Sequence, residues 1–227
     1  MKKKAFLAAF PHTIPIFVGF LFVGVSYGLL MKSQGFPLIY PLLMGIIIFA
    51  GFMQFVTVGL LLAPFNPFYA FFMTLMVNAR HLFYGVSMLD KYRDTGRMKP
   101  YLIYGLIDES FSLNCAVSIP EGVDPNWFYF FVSLLNHIYW LFGSCLGSLL
   151  GDIIHIDTTG IDFVMTALFV VLFINQWKEA DDHRPALAGL GCTALSLLVF
   201  GSEHFMLPAM GAIVVFFLWL MRKEAKA

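Results

Sequence analysis

The most unusual chemistry in this chain lies in the octet Asn-Ala-Arg-His-Leu-Phe-Tyr-Gly at residues 78–85. The octet interrupts an apolar run from about Phe68 to Leu89, which is long enough to cross a bilayer because a span needs about 20 residues. An arginine at mid-bilayer costs roughly 2.5–3.5 kcal/mol on insertion scales, so it persists only where it faces protein or water. Such charges usually mark a transport path. The octet therefore predicts an intramembrane polar site.

Helical geometry gives this site a direction. At 100° per residue, Arg80, His81 and Tyr84 fall within a single 100° arc, and Asn78 and Gly85 lie just beyond His81. The opposite face is apolar and consists of Leu75, Leu82 and Leu89. We therefore expect the polar face to point toward the interior of a helix bundle. A purely structural alternative is that Arg80 pairs with a carboxylate only to lock two helices together.

A second polar group, Gln54, lies in a glycine-rich run between Gly51 and Gly59. Glycines weaken a helix and let a ligand approach the backbone closely. A broken helix here would offer backbone groups and the Gln54 amide to a zwitterion. Interhelical hydrogen bonding is the alternative role for this side chain.

Three more polar residues lie in later apolar runs. Asp108 and Glu109 are adjacent acids, of which one can pair with Arg80 while the other takes up and releases protons, as intramembrane acids do in transporters. They could instead lie at the membrane interface, because Pro100 is only eight residues away. Asn136 shares a helix face with Trp140 and is a further candidate contact for substrate.

Composition sets the class of protein. Of 227 residues, 59% are hydrophobic and 12% are charged, against about 25% charged in a typical soluble domain. This balance predicts a polytopic integral membrane protein surrounded by a lipid bilayer. The net charge is zero, so nothing suggests a nucleic-acid partner. No P-loop, metal motif or cysteine pair with metal-ligand spacing appears, and we expect no enzymatic activity, metal or cofactor.

Hydropathy predicts an all-α transmembrane helix bundle with six to eight spans in a single transporter domain, residues 1–227. We expect the residues before the first candidate segment, about 14–31, to be a cytoplasmic N-terminus that ends before the first span. The candidate segments are about 14–31, 38–62, 68–89, 101–118, 127–150, 162–175, 186–200 and 207–221.

Loop charges conflict with a simple count of spans. Lys and Arg in the N-terminus, loop 90–100, loop 176–185 and the tail favour the cytoplasmic side, whereas loop 119–126 favours the outside. Three full spans before residue 90 would place loop 90–100 outside. Broken or re-entrant helices would resolve the conflict, since non-helical backbone is tolerated where it lines a cavity. The alternative is that the rule is statistical and these charges are few.

Small residues at intervals of four predict close helix packing. Gly24 and Gly28 form one such pair, and Gly143, Gly147 and Gly151 form a longer series. Small residues at this spacing let helix backbones approach each other closely. Packing within one chain is the first interpretation, and a dimer interface is the second.

Taken together, the polar motifs resemble the AzlC family, the large subunit of bacterial branched-chain amino-acid exporters. The resemblance runs from about residue 10 to 221 and is most specific in the octet 78–85. One departure is Phe52, where we expect a small residue. The motifs that carry the resemblance are residues 49–55 (FAGFMQF), 78–85 (NARHLFYG), 108–111 (DESF), 136–140 (NHIYW) and 162–169 (DFVMTALF).

The resemblance implies export of leucine, isoleucine, valine and analogues across the bacterial inner membrane, driven by the proton gradient. It also implies a small AzlD-type membrane subunit as partner. Within it, Arg80 would bind the substrate carboxylate or brace the site, and Tyr84 belongs to the same site. Other substrate contacts would be Gln54, Asn78 and Asn136, and the proton carriers would be His81, Asp108 and Glu109. A channel-like or scaffolding subunit without its own carrier cycle is the alternative.

Overall fold

The computed structural model describes residues 2–153 and 182–205, together with 163, 167, 170, 173–174, 177–178, 208–209, 211–213 and 215–216. Within these residues every regular element is helical, as the sequence predicts. The helices are α1 (Lys2–Ser33), α2 (Ile39–Ile47), α3 (Gly51–Leu62), α4 (Pro67–Ser87), α5 (Lys99–Tyr104), α6 (Asp108–Ala116), α7 (Pro125–Ile153) and α8 (Arg184–His204), with a short 3₁₀ helix at Gly96–Met98.

Three described helices are long and apolar enough to cross a membrane, namely α1, α7 and the part of α8 from Arg184 to Gly201. Helix α4 has 21 residues but lies outside this set, because Asn78, Arg80 and His81 lower its mean hydropathy. The number of true crossings, predicted as six to eight, stays a prediction.

The first helix is longer than predicted. It begins at Lys2 rather than near residue 14 and passes through Pro11 and Pro15. Proline removes a helical hydrogen bond, but membrane helices tolerate it where side chains satisfy the freed groups. The carbonyl groups that Pro11 and Pro15 leave free are those of Leu7 and Pro11, and between the two prolines the Thr13 hydroxyl donates to the Phe10 carbonyl oxygen at 2.9 Å. The helix therefore begins before the first hydropathy segment, and the expected cytoplasmic location of the residues ahead of that segment stays a prediction.

Helices α1 and α7 form the core of the first compact unit, Met1–Met165. Glycines bring their backbones together: a Cβ at Gly28 would collide with the Ser144 carbonyl oxygen, and one at Gly147 with that of Val25. A Cβ at Gly143 would lie 2.7 Å from the Phe20 carbonyl oxygen. We call this contact the glycine interface. It confirms the predicted close packing and places it within a single chain.

Two predicted segments are broken helices. The segment 38–62 divides into α2 and α3 around Phe49, a non-glycine residue with φ of +37°. The segment 101–118 divides into α5 and α6 across residues 105–107. The predicted broken helix is confirmed in the segment 38–62, whereas the break in the segment 101–118 was not predicted. Each break exposes helix termini inside the bundle, where polar side chains can reach backbone groups.

The second compact unit comprises Thr166–Ala227. Its described part is mainly α8, which is helical from Arg184 but kinked at Gly201, where φ is +73°. Asp162 and the motif residues 164–166 and 168–169 lie outside the described residues, so the predictions made for them are untested. The single-domain prediction for residues 1–227 likewise stays a prediction.

Candidate functional site

The octet on α4 meets the acidic start of α6. Arg80 Nη2 lies 2.9 Å from Asp108 Oδ2, and both side chains are about a quarter to a third exposed (29% and 26%). Asp108 is the first residue of α6, where the positive end of the helix dipole favours a carboxylate. The Arg80 guanidinium and the N-terminus of α6 therefore both stabilise the Asp108 anion.

Tyr84 completes this ion-pair site, which we define as Arg80, Tyr84 and Asp108. The Tyr84 hydroxyl donates to Asp108 Oδ1 at 2.6 Å, so each carboxylate oxygen receives one side chain from α4. The Tyr84 ring stacks on Phe111 with centroids 4.3 Å apart and planes 12° apart. Because Arg80 and Tyr84 are one turn apart, a single face of α4 makes the whole contact, as the helical arc predicts.

Phe52 forms another wall of the ion-pair site. The Arg80 guanidinium lies over the Phe52 ring at 4.9 Å from its centroid, within range of a cation–π interaction. Phe52 is the position where the sequence departs from the pattern expected of the resemblance. The larger residue therefore contacts the arginine directly. Neither Phe52 nor Phe111 was predicted as a site residue, although Phe111 belongs to the same motif as Asp108 and lies one helical turn after it.

Asn78 and His81 line a neighbouring cavity of about 460 Å³ between α4 and the α5 region. Its other walls are mostly apolar, and Tyr92 and Lys99 are its remaining polar members. Tyr92, in the connection between α4 and α5, is buried, and burial raises the pKa of Tyr92 to about 12. Its phenol is therefore neutral. Lys99 is the lysine of this lining.

Two buried polar atoms of α4 have no hydrogen-bond partner among the described residues. They are Asn78 Oδ1, an acceptor, and Arg80 Nε, a donor. Residues two apart on a helix do not face each other, and Arg80 does not belong to the cavity lining. The cavity and the ion-pair site therefore lie on adjacent sides of α4 and do not form one pocket.

Gln54 lies away from this helix face and is fully engaged. Its Oε1 accepts from Trp140 Nε1 at 2.9 Å, and its Nε2 donates to the Met44 carbonyl oxygen at 3.2 Å. Met44 is near the end of α2, and Gln54 is in the first turn of α3. The side chain thus joins both halves of the broken helix to α7, which matches the predicted alternative of interhelical hydrogen bonding.

Asn136 on α7 contacts α6, and Glu109 is part of α6 itself. Asn136 is fully buried, and its Nδ2 donates to the Ser110 hydroxyl at 3.2 Å. Glu109 follows Asp108 in the first turn of α6 and is partly buried. Ser110, which the sequence reasoning did not select, links the start of α6 to α7. Its position beside the two acids was the available signal.

The fold and the site define an integral membrane helix bundle with a charge pair between two of its helices. The residues 15–154 match the model of the AzlC family, described as "AzlC protein". This chain belongs to the AzlC family. No solved structure matches the chain.

Three relatives illustrate the range of similarity. The chain is 57% identical to the "Branched-chain amino acid transport protein AzlC" of Bacillus subtilis (strain 168), over 92% of this chain and 83% of that protein. It is 45% identical to an "Uncharacterized membrane protein" of Haemophilus influenzae, over 91% and 85% of the two chains. It is 24% identical to "Inner membrane protein YgaZ" of Escherichia coli (strain K12), over 85% and 81%.

Proposed function

We propose that this protein is a secondary transporter that exports leucine, isoleucine, valine and their analogues from the bacterial cytoplasm, driven by the proton gradient. Membership of the AzlC family and the name of the Bacillus subtilis relative support the substrate class. The observation that carries the mechanism is the ion pair between Arg80 and Asp108. The protein is not an enzyme: its polar groups bind and release rather than transform a ligand.

The ion-pair site can recognise the charged end of an amino acid. Arg80 contacts Asp108 through Nη2 and keeps a buried Nε donor that no described residue uses. A substrate carboxylate would bind this guanidinium in competition with Asp108, because Arg pairs readily with carboxylates. Tyr84 would keep hold of Asp108 while the ion pair opens. Arg80 therefore binds the substrate in one state and braces α4 in the other.

The neighbouring cavity suits the other parts of the substrate. Its walls are mainly aliphatic, and pockets of this kind bind apolar side chains with a few polar groups fixing the orientation. Asn78 Oδ1 lacks a partner in the described part of the chain and would accept from an ammonium group. Rotation or shift of α4 would bring the two sides of the helix to one substrate.

Proton coupling follows from competition for Asp108. A proton on this carboxylate removes its charge and weakens the ion pair with Arg80, which frees the guanidinium for substrate. Glu109, next in the chain, and His81, in the cavity wall, are the other groups we assign to proton transfer. Gln54 and Asn136 act by fixing α3, α6 and α7 around the site, through Trp140 and Ser110 respectively.

The working protein would lie in the inner membrane with a cytoplasmic N-terminus, together with a small AzlD-type membrane subunit. The three lysines at positions 2–4 support this orientation. The test is leucine efflux from cells loaded with a leucine-containing dipeptide, with this gene alone, the partner alone, both or neither. We expect fast efflux only with both genes, and its loss when a protonophore collapses the gradient.

Unchanged efflux with both genes present would contradict the substrate assignment. Efflux that persists at full rate under the protonophore would contradict proton coupling and would favour a channel-like subunit. A glycine-containing dipeptide provides the control, because glycine offers no aliphatic side chain to the cavity and its efflux should not change.

A further inference from the structure

A cluster of four buried polar side chains lies between α6 and α7, apart from the ion-pair site. All four are at most 1% exposed. We call them the serine–asparagine cluster, which consists of Ser110, Asn114, Ser133 and Asn136. Buried polar groups are normally hydrogen-bonded, so a cluster of this size inside a membrane protein requires a physical explanation.

Two contacts fix how the cluster is arranged. Asn136 on α7 donates to Ser110 on α6. One turn further along α6, Asn114 Nδ2 donates to the Tyr92 hydroxyl at 2.8 Å, and the Tyr92 ring lies 5.6 Å from that of Tyr129 on α7. Successive turns of α6 therefore lie beside successively earlier residues of α7, from residue 136 toward residue 129. Ser133 lies between these two levels, on the same buried face.

Three oxygen atoms of the cluster have no hydrogen-bond partner within residues 2–153. They are Asn114 Oδ1, Ser133 Oγ and Asn136 Oδ1. Two of them are amide oxygens, which only accept, and the third is a hydroxyl that can do so. The unmet requirement is thus for something electropositive. A neutral apolar ligand would leave all three oxygens unsatisfied.

The surroundings narrow the choice of ligand. The side chain of Ser133 packs against Gly105, whose Cβ position would lie 3.2 Å from Ser133 Cβ, and Gly105 ends α5 at the break before α6. The carbonyl ends of broken helices and neutral oxygens bind alkali-metal ions in membrane transporters, whereas Mg²⁺ and Ca²⁺ sites use carboxylates. Both oxygens of the nearby Asp108 are already engaged.

We propose that the serine–asparagine cluster binds a monovalent metal cation, Na⁺ or K⁺, between α6 and α7. The cation completes the coordination of the three unpartnered oxygens and holds α6 against α7. Since α6 also carries Asp108, the bound cation fixes one side of the ion-pair site. This binding site does not depend on the direction or the substrate of transport.

The test is thermal unfolding of the purified full-length protein in detergent, at constant ionic strength, with NaCl or KCl replacing N-methyl-D-glucamine chloride. A ligand that binds only the folded state raises the melting temperature with its concentration. We expect a saturable rise of about 3–8 °C between about 1 and 300 mM of the preferred metal ion. Comparison of the two salts identifies which ion binds.

Ser133→Ala should abolish the response by removing one oxygen with little change in volume. Ser148→Ala is the matched control, because Ser148 Oγ is likewise buried on α7 and has no partner in residues 2–153, but lies at the glycine interface. If Ser133→Ala does not fold, Ser133→Cys keeps the volume and replaces a hard oxygen by a soft sulfur, a poorer ligand for alkali-metal ions.

Equal melting temperatures in metal and N-methyl-D-glucamine salts would overturn the proposal. The three oxygens would then be hydrogen-bonded by ordered water. A cation response of full size in the Ser133 variants would also overturn it, because the cation would then bind elsewhere. Neither result bears on export, which is measured separately by efflux.

Discussion

Helices α1 and α4 are both apolar in most of their length, but the protein holds them in opposite ways. Helix α1 packs on α7 through glycines so closely that side chains cannot be added. Helix α4 has no buried residue along its 21 positions, and its polar contacts are concentrated on Asp108. One helix is fixed by shape and the other by charge. Charge contacts can be exchanged for a ligand or a proton, so α4 is the element suited to move.

The largest expected effect is at the glycine interface. Gly147→Val should prevent folding, with a loss of at least about 3 kcal/mol, because even a Cβ collides with the Val25 carbonyl oxygen. The measurement is the yield of monodisperse protein extracted from membranes. Gly85→Ala on α4 is the control, since a Cβ there meets nothing within 4 Å. A normal yield of Gly147→Val would show that α1 is not fixed by shape.

The next effect is on the charge that holds α4. Asp108→Asn should lower stability by about 3 kcal/mol, because it leaves the partly buried Arg80 without its counter-charge. The double variant Arg80→Gln with Asp108→Asn should regain most of that loss, since no lone charge remains. Thermal unfolding in detergent measures both. If the double variant were as unstable as the sum of the single variants, the contact would not be an ion pair of this kind.

A smaller loss is expected at the broken helix. Gln54→Leu should cost about 2 kcal/mol by leaving Trp140 Nε1 without an acceptor and α2 without its link to α3. Thermal unfolding again gives the value. Gln34→Leu, at an exposed position after α1, is the control. Equal melting temperatures for the two variants would remove Gln54 from the set of residues that fix the broken helix.

The smallest expected effect is at Tyr84, where a substitution can remove the hydroxyl and keep the ring. Tyr84→Phe loses the bond to Asp108 but keeps the stacking on Phe111, so stability should fall by only about 1.5 kcal/mol. Leucine efflux should fall severalfold, because Asp108 is then less firmly held. Tyr69→Phe, at an exposed position on the same helix, should change neither. An unaltered efflux in Tyr84→Phe would exclude the hydroxyl from the transport cycle.

The comparison also explains what could be predicted from sequence. Residue spacing identified the polar arc of α4 and the close packing of Gly28 and Gly147, because both depend on helical periodicity alone. The partner of Arg80 could be narrowed to Asp108 or Glu109 but not chosen between them. That choice depends on where α6 begins, and the break after Gly105 makes Asp108 its first residue.

Other features required the tertiary structure. Helix α1 begins before the first hydropathy segment because it continues through Pro11 and Pro15, and the apolar pattern alone does not predict helix on the N-terminal side of two prolines. Gln54 was recognised as important, but its acceptor role toward Trp140 depends on a contact between residues far apart in the chain. The cavity beside Asn78 depends in the same way on how α5 returns toward α4.

The central claim is that the ion pair between Arg80 and Asp108 carries export rather than only bracing α4. The most direct test is leucine efflux from dipeptide-loaded cells expressing the Arg80→Gln, Asp108→Asn double variant with the partner subunit, normalised to folded protein in the membrane. We predict a folded protein whose efflux falls at least about tenfold, to the level of cells without the gene. Efflux at the wild-type rate by the folded double variant would contradict the claim.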